Sequence, residues 1–442
     1  MPGAERNGIP EPGMDTRKLI LPLLTPAWLG LSFIPAHADT AKTSGGLEIV
    51  SDDGNFSAEL GGRIHFDTYL FDTDIDDPVS TTEFRRARIT LTGEAYNWEY
   101  KLEQDFAAGD TLAGFREVWI GHDFYGGQIR VGQFKPFRAM EELTSSNEIL
   151  MLERPFTTAT GIYDGRQFQQ GIGWNNYWDC YTAGIMAFNL RNADTPRNEG
   201  VGAAGRFTWA PINNELSTIH LGASYSYENA NRETEPFEAD ADYAGRRGPS
   251  QLIALTPGDE EFFFGDFGDD EFFLGSQGGA VHITGLELAG TWGPFYAQME
   301  YAYGDYEGEY SVSEIFFEDL FDAPPTFECD PDFGCFIGDQ DVHAWYIQGS
   351  WLITGEHKPY NSKKGVFKSA KPSSPWGAWE LTARYESIQN DEIPDLEADS
   401  WIVGVNYYHN PKVRFMLNLR FGDDDFTGDG TDQLGIRAQM SW

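Results

Sequence analysis

The residues best placed to do chemistry in this chain are its arginines, and they recur at even spacings. Arg86 and Arg88 are two apart, Arg414 and Arg420 share one segment, and Arg63 and Arg437 stand near the two ends. Even spacing places side chains on one face of a β-strand. A guanidinium stays charged at physiological pH and presents a planar fork of donors that fits an oxyanion. It is poorly suited to attack a carbonyl or shuttle a proton, so such a face filters, binds or braces. Lys101, Arg130, Lys135 and Arg138 extend the set. No Ser–His–Asp order, nucleophile elbow, His-x-x-x-His, Cys-x-x-Cys or glycine-rich phosphate loop accompanies these residues. No catalytic residue, resident metal or cofactor is expected, and the chain is not read as an enzyme.

The elements that must hold these cations are strands. In "FSAELGGRIHFDTYL", Phe56, Ala58, Leu60, Ile64, Phe66 and Leu70 alternate with Ser57, Glu59, Arg63, His65 and Asp67. "RARITLTGEA" and "WEYKLEQDF" repeat the alternation, as do "FYAQMEYAY" and "VRFMLNLRF". The last eleven residues set Leu434, Ile436, Ala438, Met440 and Trp442 against Gln433, Gly435, Arg437, Gln439 and Ser441. Segments of about ten residues with one apolar and one polar face fit tilted strands that cross a bilayer. Short connections with turn chemistry (Asn97, 125–128, 211–215, 293–295 and 409–412) alternate with long polar ones. The connection 355–377 breaks this rule by being long where a short turn is due. An open edge would leave backbone groups unpaired in hydrocarbon, so the sheet must close, last strand on first. The expected fold is all-β: a transmembrane antiparallel β-barrel of about sixteen strands, with long extracellular loops and mostly short periplasmic turns. Trp442 would then sit at a lipid–water interface.

Charge is segregated along this pattern. The net charge of −39 argues against nucleic acid as a partner. Segments 72–83, 229–279, 307–340, 389–399 and 423–432 hold 37 of the 70 acidic residues, all on the long-loop side. In a closed barrel, strands 15, 16, 1 and 2 are neighbours. Arg414, Arg420, Arg437, Arg63, Arg86 and Arg88 would form a basic wall, flanked by Lys101 and Arg384. Two readings stay open: the wall filters ions, or its arginines pair with lumenal acids such as Glu103, Glu300, Glu380 and Glu386 and brace the barrel.

Segment 135–164 mixes apolar and polar residues at helix-like spacing (Met140, Leu143, Ile149, Leu150, Leu152). It is expected to fold into the mouth as a constriction carrying Lys135, Arg138 and Arg154; a helix over the outer rim is the alternative. Cys329 and Cys335 bracket a short loop suited to a disulfide in an exported protein, and Cys180 reads as a buried strand residue. Carboxylates in "DDDFTGDGTD" and in the Phe- and Asp-rich 262–274 could take divalent cations or make an acidic surface. Arg17 and Lys18, an apolar run and Ala36-His37-Ala38 read as a secretory signal over 14–38, with 1–13 an upstream over-call and 39–442 a single barrel domain.

Several stretches resemble the phosphate-selective porin O and P family. They are "GGLEIVSDDGNFSAELGGRIHFD", "FRRARITLTGE", "IRVGQFKPF", "WLITGEH", "WELTARY" and the terminal "LGIRAQMSW", in the family's order. The resemblance implies a homotrimeric outer-membrane porin of a Gram-negative bacterium, with inward-folded loops and a passive diffusion path. It implies solute-facing roles for Arg63, Arg86, Arg88, Arg130 and Lys135. The expected function is a water-filled channel for small hydrophilic or ionic solutes, with phosphate or another oxyanion as candidate. The alternatives are a cation-preferring general porin or an adhesion barrel that works through its acidic loops. Outer-membrane lipid and lipopolysaccharide are the expected surroundings.

Overall fold

The computed structural model describes residues 40–42, 47–75, 78–108, 112–190, 200–229, 237–256, 273–275, 279–308 and 335–442, with some positions between 310 and 329. The expected export segment 14–38, and much of 229–279 and 307–340, lie outside these residues.

Sixteen strands form the barrel: β1 (Phe56–Thr73), β2 (Thr81–Ala95), β3 (Trp98–Asp105), β4 (Phe115–Phe124), β5 (Gly127–Phe134), β6 (Gln169–Tyr177), β7 (Tyr181–Asn189), β8 (Val201–Asn213), β9 (Ser217–Asn229), β10 (Ala280–Trp292), β11 (Phe295–Glu307), β12 (Gln340–Leu352), β13 (Ala378–Asn390), β14 (Glu397–Asn410), β15 (Val413–Asp424) and β16 (Asp429–Ser441). Each pairs antiparallel with its sequence neighbours, and β16 closes on β1 from Thr431↔Thr73 to Ser441↔Arg63. Closure leaves no strand edge inside the bilayer. At the seam the Gly62 N–H donates to the Trp442 carbonyl (3.2 Å) and the Trp442 N–H to the Gly62 carbonyl (3.1 Å). The indole lies flush on Gly62, where a Cβ would come within 2.3 Å of it. A short ribbon, Thr40–Lys42 with Leu47–Val50, continues the sheet along the start of β1.

Outward positions are mostly apolar around the wall, and Trp345, Tyr385 and Trp401 pack against one another across three strands as part of an aromatic girdle (ring centroids 5.3 and 4.8 Å apart). Strand height is uneven. β3 to β7 have 8 to 10 residues, close to the expected length. The other strands run from 12 to 18 residues. They are longer than a bilayer crossing needs, and two of them end in residues such as Asp423 and Asp432 that favour water. Tight turns sit at the other end: Tyr96 and Asn97, and Tyr125 and Gly126, have positive φ at both central positions, the geometry that matches hairpin twist.

Three smaller sheets lie off the wall: a hairpin of Glu238–Arg246 with Ser250–Leu255, a three-stranded piece of Phe273–Gly275, Tyr310–Val312 and Cys335–Ile337, and a ribbon of Tyr360–Asn361 with Val366–Phe367. Cys329 and Cys335 are joined as a disulfide. Cys180 is a free, half-buried residue in the turn between β6 and β7, not a buried strand position. In the 423–432 connection Asp424 and Asp429 accept backbone N–H groups: Phe426 to Asp424 (3.0 Å), and Asp74 and Ile75 to Asp429 (3.0 and 2.7 Å).

Candidate functional site

The lumen is divided by segment 135–168, which leaves β5, crosses the barrel interior and returns to β6. It is not helical beyond one turn, Met140–Leu143; the helix-like spacing instead serves a chain that buries Met140, Ile149, Leu150, Met151 and Leu152 against the far side. Wall side chains hold its backbone. Met140 and Glu141 N–H groups donate to Glu300 (2.8 Å each), and Leu152 N–H donates to Asn418 (2.8 Å). Arg414 donates to Ile149 O (3.0 Å), Arg437 to Leu152 O (2.7 Å), Arg384 to Glu153 O (3.0 Å) and Asn406 to Leu150 O (3.0 Å). A loop's irregular carbonyls need such partners once water is excluded.

Glu153 is the centre of this bracing. Arg85 grips its carboxylate with two bonds (2.7 and 2.9 Å), and Arg437 adds a third (3.2 Å) while also holding Asp67. Burial pushes the Glu153 carboxyl up, but Arg85, Arg86 and Arg437 outweigh it and hold it below the usual carboxylate range. Arg85 reaches it because β2 carries a bulge opposite His65 and Phe66, where Arg86 pairs with His65 and Phe84 with Phe66. Strict alternation would have aimed Arg85 at lipid. The signal was present in the sequence as two consecutive arginines within an otherwise alternating strand, a charge that hydrocarbon would not tolerate.

The ten cations singled out from the sequence therefore separate. Arg86, Arg138, Arg414, Arg420 and Arg437 are buried. Arg138 pairs with Glu228, Arg420 with Glu386 (3.0 Å) and Arg437 with Asp67. Glu300, Glu380 and Glu386 are buried too, so they do not face moving water. Arg63, Lys101, Arg130 and Lys135 are half-buried and, with the buried Arg88, line two cavities of about 280 and 290 Å³ that share Lys101, Glu117, Lys135, Leu143 and Lys364; Arg63 and Arg414 also line a third, of about 340 Å³. Arg63 and Arg88 meet Glu103 (3.3 and 2.9 Å), and Lys101 meets Glu117 (2.7 Å). Arg130 lies 4.7 Å over the Trp119 ring. Burial pushes the Lys135 ammonium well down, and Arg154 nearby adds to that push against the pull of Glu142.

The far wall of this passage was not anticipated. Segment 353–377 folds back into the barrel rather than trailing outside it. Arg206 donates to Lys364 O (2.9 Å) and Gly365 O (2.7 Å), Tyr360 bonds His220 (2.8 Å), Lys358 meets Glu380 (3.3 Å) and Ser369 N–H reaches Glu148 (2.8 Å). Its tip turns at Gly365 (φ 60°), where a Cβ would stand 2.8 Å from Thr208 Oγ1. Lys363, Lys364 and Lys368 are exposed, and all three line the cavities. The unusual length and lysine content of 355–377 carried the hint, but nothing local said which way the segment points.

A closed cylinder with a mostly apolar outside, an aromatic girdle and charged cavities left between its wall and inward loops is a channel-forming barrel of the outer membrane. The chain belongs to the phosphate-selective porin O and P family, whose model matches residues 58–241 and 274–441. It is 28% identical to Porin O of Pseudomonas aeruginosa over 88% of this chain and 90% of that protein. It is 24% identical to an uncharacterized protein of Caulobacter vibrioides over 92% of this chain and 78% of that one. Among solved structures it is similar to in-vitro folded OmpT of Vibrio cholerae (TM-score 0.51, 11% identity, 88% of this chain, 98% of that one). It is also similar to Salmonella typhi OmpF in complex with daunomycin (TM-score 0.50, 14% identity, 88% and 99%). The protein is an outer-membrane porin, a water-filled channel for small solutes.

Proposed function

We propose that this porin prefers anions, with phosphate or a related small oxyanion among its solutes, and that the filter is the passage between β1–β8 and the tip of segment 353–377. One observation carries the reading: the two joined cavities are lined by Arg63, Arg88, Lys101, Arg130, Lys135, Arg154, Arg206, Lys363, Lys364 and Lys368 against Glu103, Glu117 and Glu148. Net positive lining in a narrow, low-dielectric passage concentrates anions, while a series of sites keeps each one from being trapped. The acidic outer loops act only at short range, since charge is screened over about 8 Å at physiological ionic strength. The solute gradient supplies the driving force. The test is the zero-current potential of purified protein in a planar bilayer under a KCl gradient. Anion preference supports the reading; cation preference overturns it in favour of a general cation-passing porin.

We further propose export by the 14–38 signal and assembly as a homotrimer through the low side of the wall. Support for the latter is the strip of outward amides on β3, β5 and β6. Gln170 donates to Gln133 (3.1 Å), Gln133 donates to Phe115 O (2.8 Å), and Gln104 faces the same way as Leu102. Amides beside Val131 and Ile172 suit a protein partner better than lipid chains. Crosslinking in native membranes that yields only monomer would refute this assembly. The remaining wall would contact lipid and lipopolysaccharide.

A further inference from the structure

The passage is not only cationic. One of its two cavities, of about 290 Å³, is bounded by Trp119, Phe134, Phe137 and Leu143 together with Arg130 and Lys135. Two cations beside the path are laid over rings: Arg130 at 4.7 Å from the Trp119 centroid and Lys135 at 5.5 Å from that of Phe168. Trp119 is fixed from both sides, since its indole N–H donates to Glu117 (3.3 Å) while Arg130 covers its face. Phe137 sits on Gly184, where a Cβ would come within 2.6 Å of the ring. β7 has kept that position small, which gives the aromatic shelf room to face the lumen.

Such a shelf is a poor wall for phosphate. A compact, strongly hydrated oxyanion gains nothing from rings and loses hydration beside them. An anion with a flat apolar body gains at both ends, its ring packing against the side of the cavity formed by Trp119, Phe134 and Phe137 and its charge meeting Arg130, Lys101 or Lys135. We infer that the Trp119–Phe137 shelf is a binding step for organic anions that carry an aromatic or other flat apolar group, such as aryl carboxylates and aryl phosphonates, in preference to inorganic phosphate. This rests on the anion preference proposed above and names the class of anion that benefits.

The test is block of single-channel KCl current by phenylphosphonate and by inorganic phosphate, compared at equal charge in the same bilayer. Phenylphosphonate should half-block at a concentration about tenfold lower than phosphate. Trp119→Ala should bring the two within about twofold, and Trp119→Phe, which keeps a ring, should retain most of the difference. Equal half-block by the two anions in the unmodified, anion-preferring channel would overturn the inference and leave the filter standing. Cation preference in KCl would overturn the underlying reading as well. Since the unmodified protein alone supplies the deciding comparison, a variant that fails to fold does not rescue the idea.

Discussion

The two halves of this lumen use the same residue types for opposite ends. On the side of β9 to β16, arginines meet carboxylates and carbonyls at close range: Arg384 holds Gln348 and Glu153 O, Arg420 holds Glu386, and Arg437 holds Asp67 and Glu153. On the side of β1 to β8, Lys101, Arg130 and Lys135 stand around open space with Lys364 and Lys368 opposite. The first group, with Arg85 on β2, braces segment 135–168; the second surrounds the cavities that the segment leaves, the filter proposed above. Charge count alone cannot distinguish them, because an arginine is as charged in a brace as in a filter. What distinguishes them is whether the side chain is packed against segment 135–168 or borders open space, since Arg63, Arg88 and Lys101 also meet carboxylates.

This division can be broken most forcefully at Glu153. Glu153→Ala takes the shared partner from the half-buried Arg85 and the buried Arg437, and removing one member of a buried pair costs about 3–5 kcal/mol. The expected result is a large drop in the temperature at which the folded barrel converts to its unfolded electrophoretic form, with noisy conductance as segment 135–168 comes free. A smaller loss is expected for Gly365→Val. A β-branched residue cannot take the left-handed φ of 60° at little cost, and its Cβ would crowd Thr208 and Arg206. Strain of that kind is on the order of 1–3 kcal/mol. Displacing the tip should raise conductance and weaken anion preference together, which single-channel recording would register.

Two pH effects sharpen the contrast with less force. Because burial and Arg154 push the Lys135 ammonium down, Lys135 loses its proton at lower pH than exposed lysines, which titrate near 10.4. Anion preference should therefore begin to decline on the alkaline side before bulk lysines titrate, and Lys135→Arg should delay that decline. The second effect lies at the outer mouth, where the hairpin Glu238–Leu255 docks on segment 135–168 through Asp240 N–H to Gly161 O (3.4 Å) and Asp242 N–H to Thr160 O (3.3 Å). Burial, with Asp164 beside it, pushes the Asp242 carboxyl up to about 7. A free aspartate ionises near 3.9, so between about pH 4 and pH 7 the undocked hairpin sheds a proton that the docked one keeps. Docking is firmest in acid and weakens as pH rises through that window. Protease cleavage in the hairpin should be slower at pH 5 than at pH 8, and Asp242→Asn should reduce the difference. Asp240 and Asp164 shift the same way, while Arg85 and Arg166 oppose them.

Much of the fold was legible because a bilayer imposes a strict code. Alternation at a period of two, turns alternating with loops, and the need for closure place Arg63, Arg86, Arg88, Lys101, Arg414, Arg420 and Arg437 on their strands and on the lumenal face. The site was only half legible. Alternation says that a side chain points inward but not what lies opposite it, and here the occupant is a different segment arriving from far along the chain. Arg437 and Glu153 are 284 residues apart, as are no two residues that local pattern can relate. The bulge that turns Arg85 inward could have been inferred from the cost of a charge in lipid. The inward course of 353–377 could not, since it depends on Arg206, His220 and Glu380 on three separate strands. Strand length was underestimated because hydrophobic alternation fades where strands leave the bilayer while hydrogen bonding continues.

The most direct test of a lumen divided into brace and filter is the zero-current potential of Lys364→Glu in a KCl gradient, recorded beside the unmodified porin. Lys364 is exposed and sits where the two cavities join. Reversing its charge should move the potential clearly towards cation preference with the thermal stability of the barrel unchanged. A potential that does not move would contradict the account, because ions would then be passing somewhere other than between Lys364 and the wall of β1 to β8.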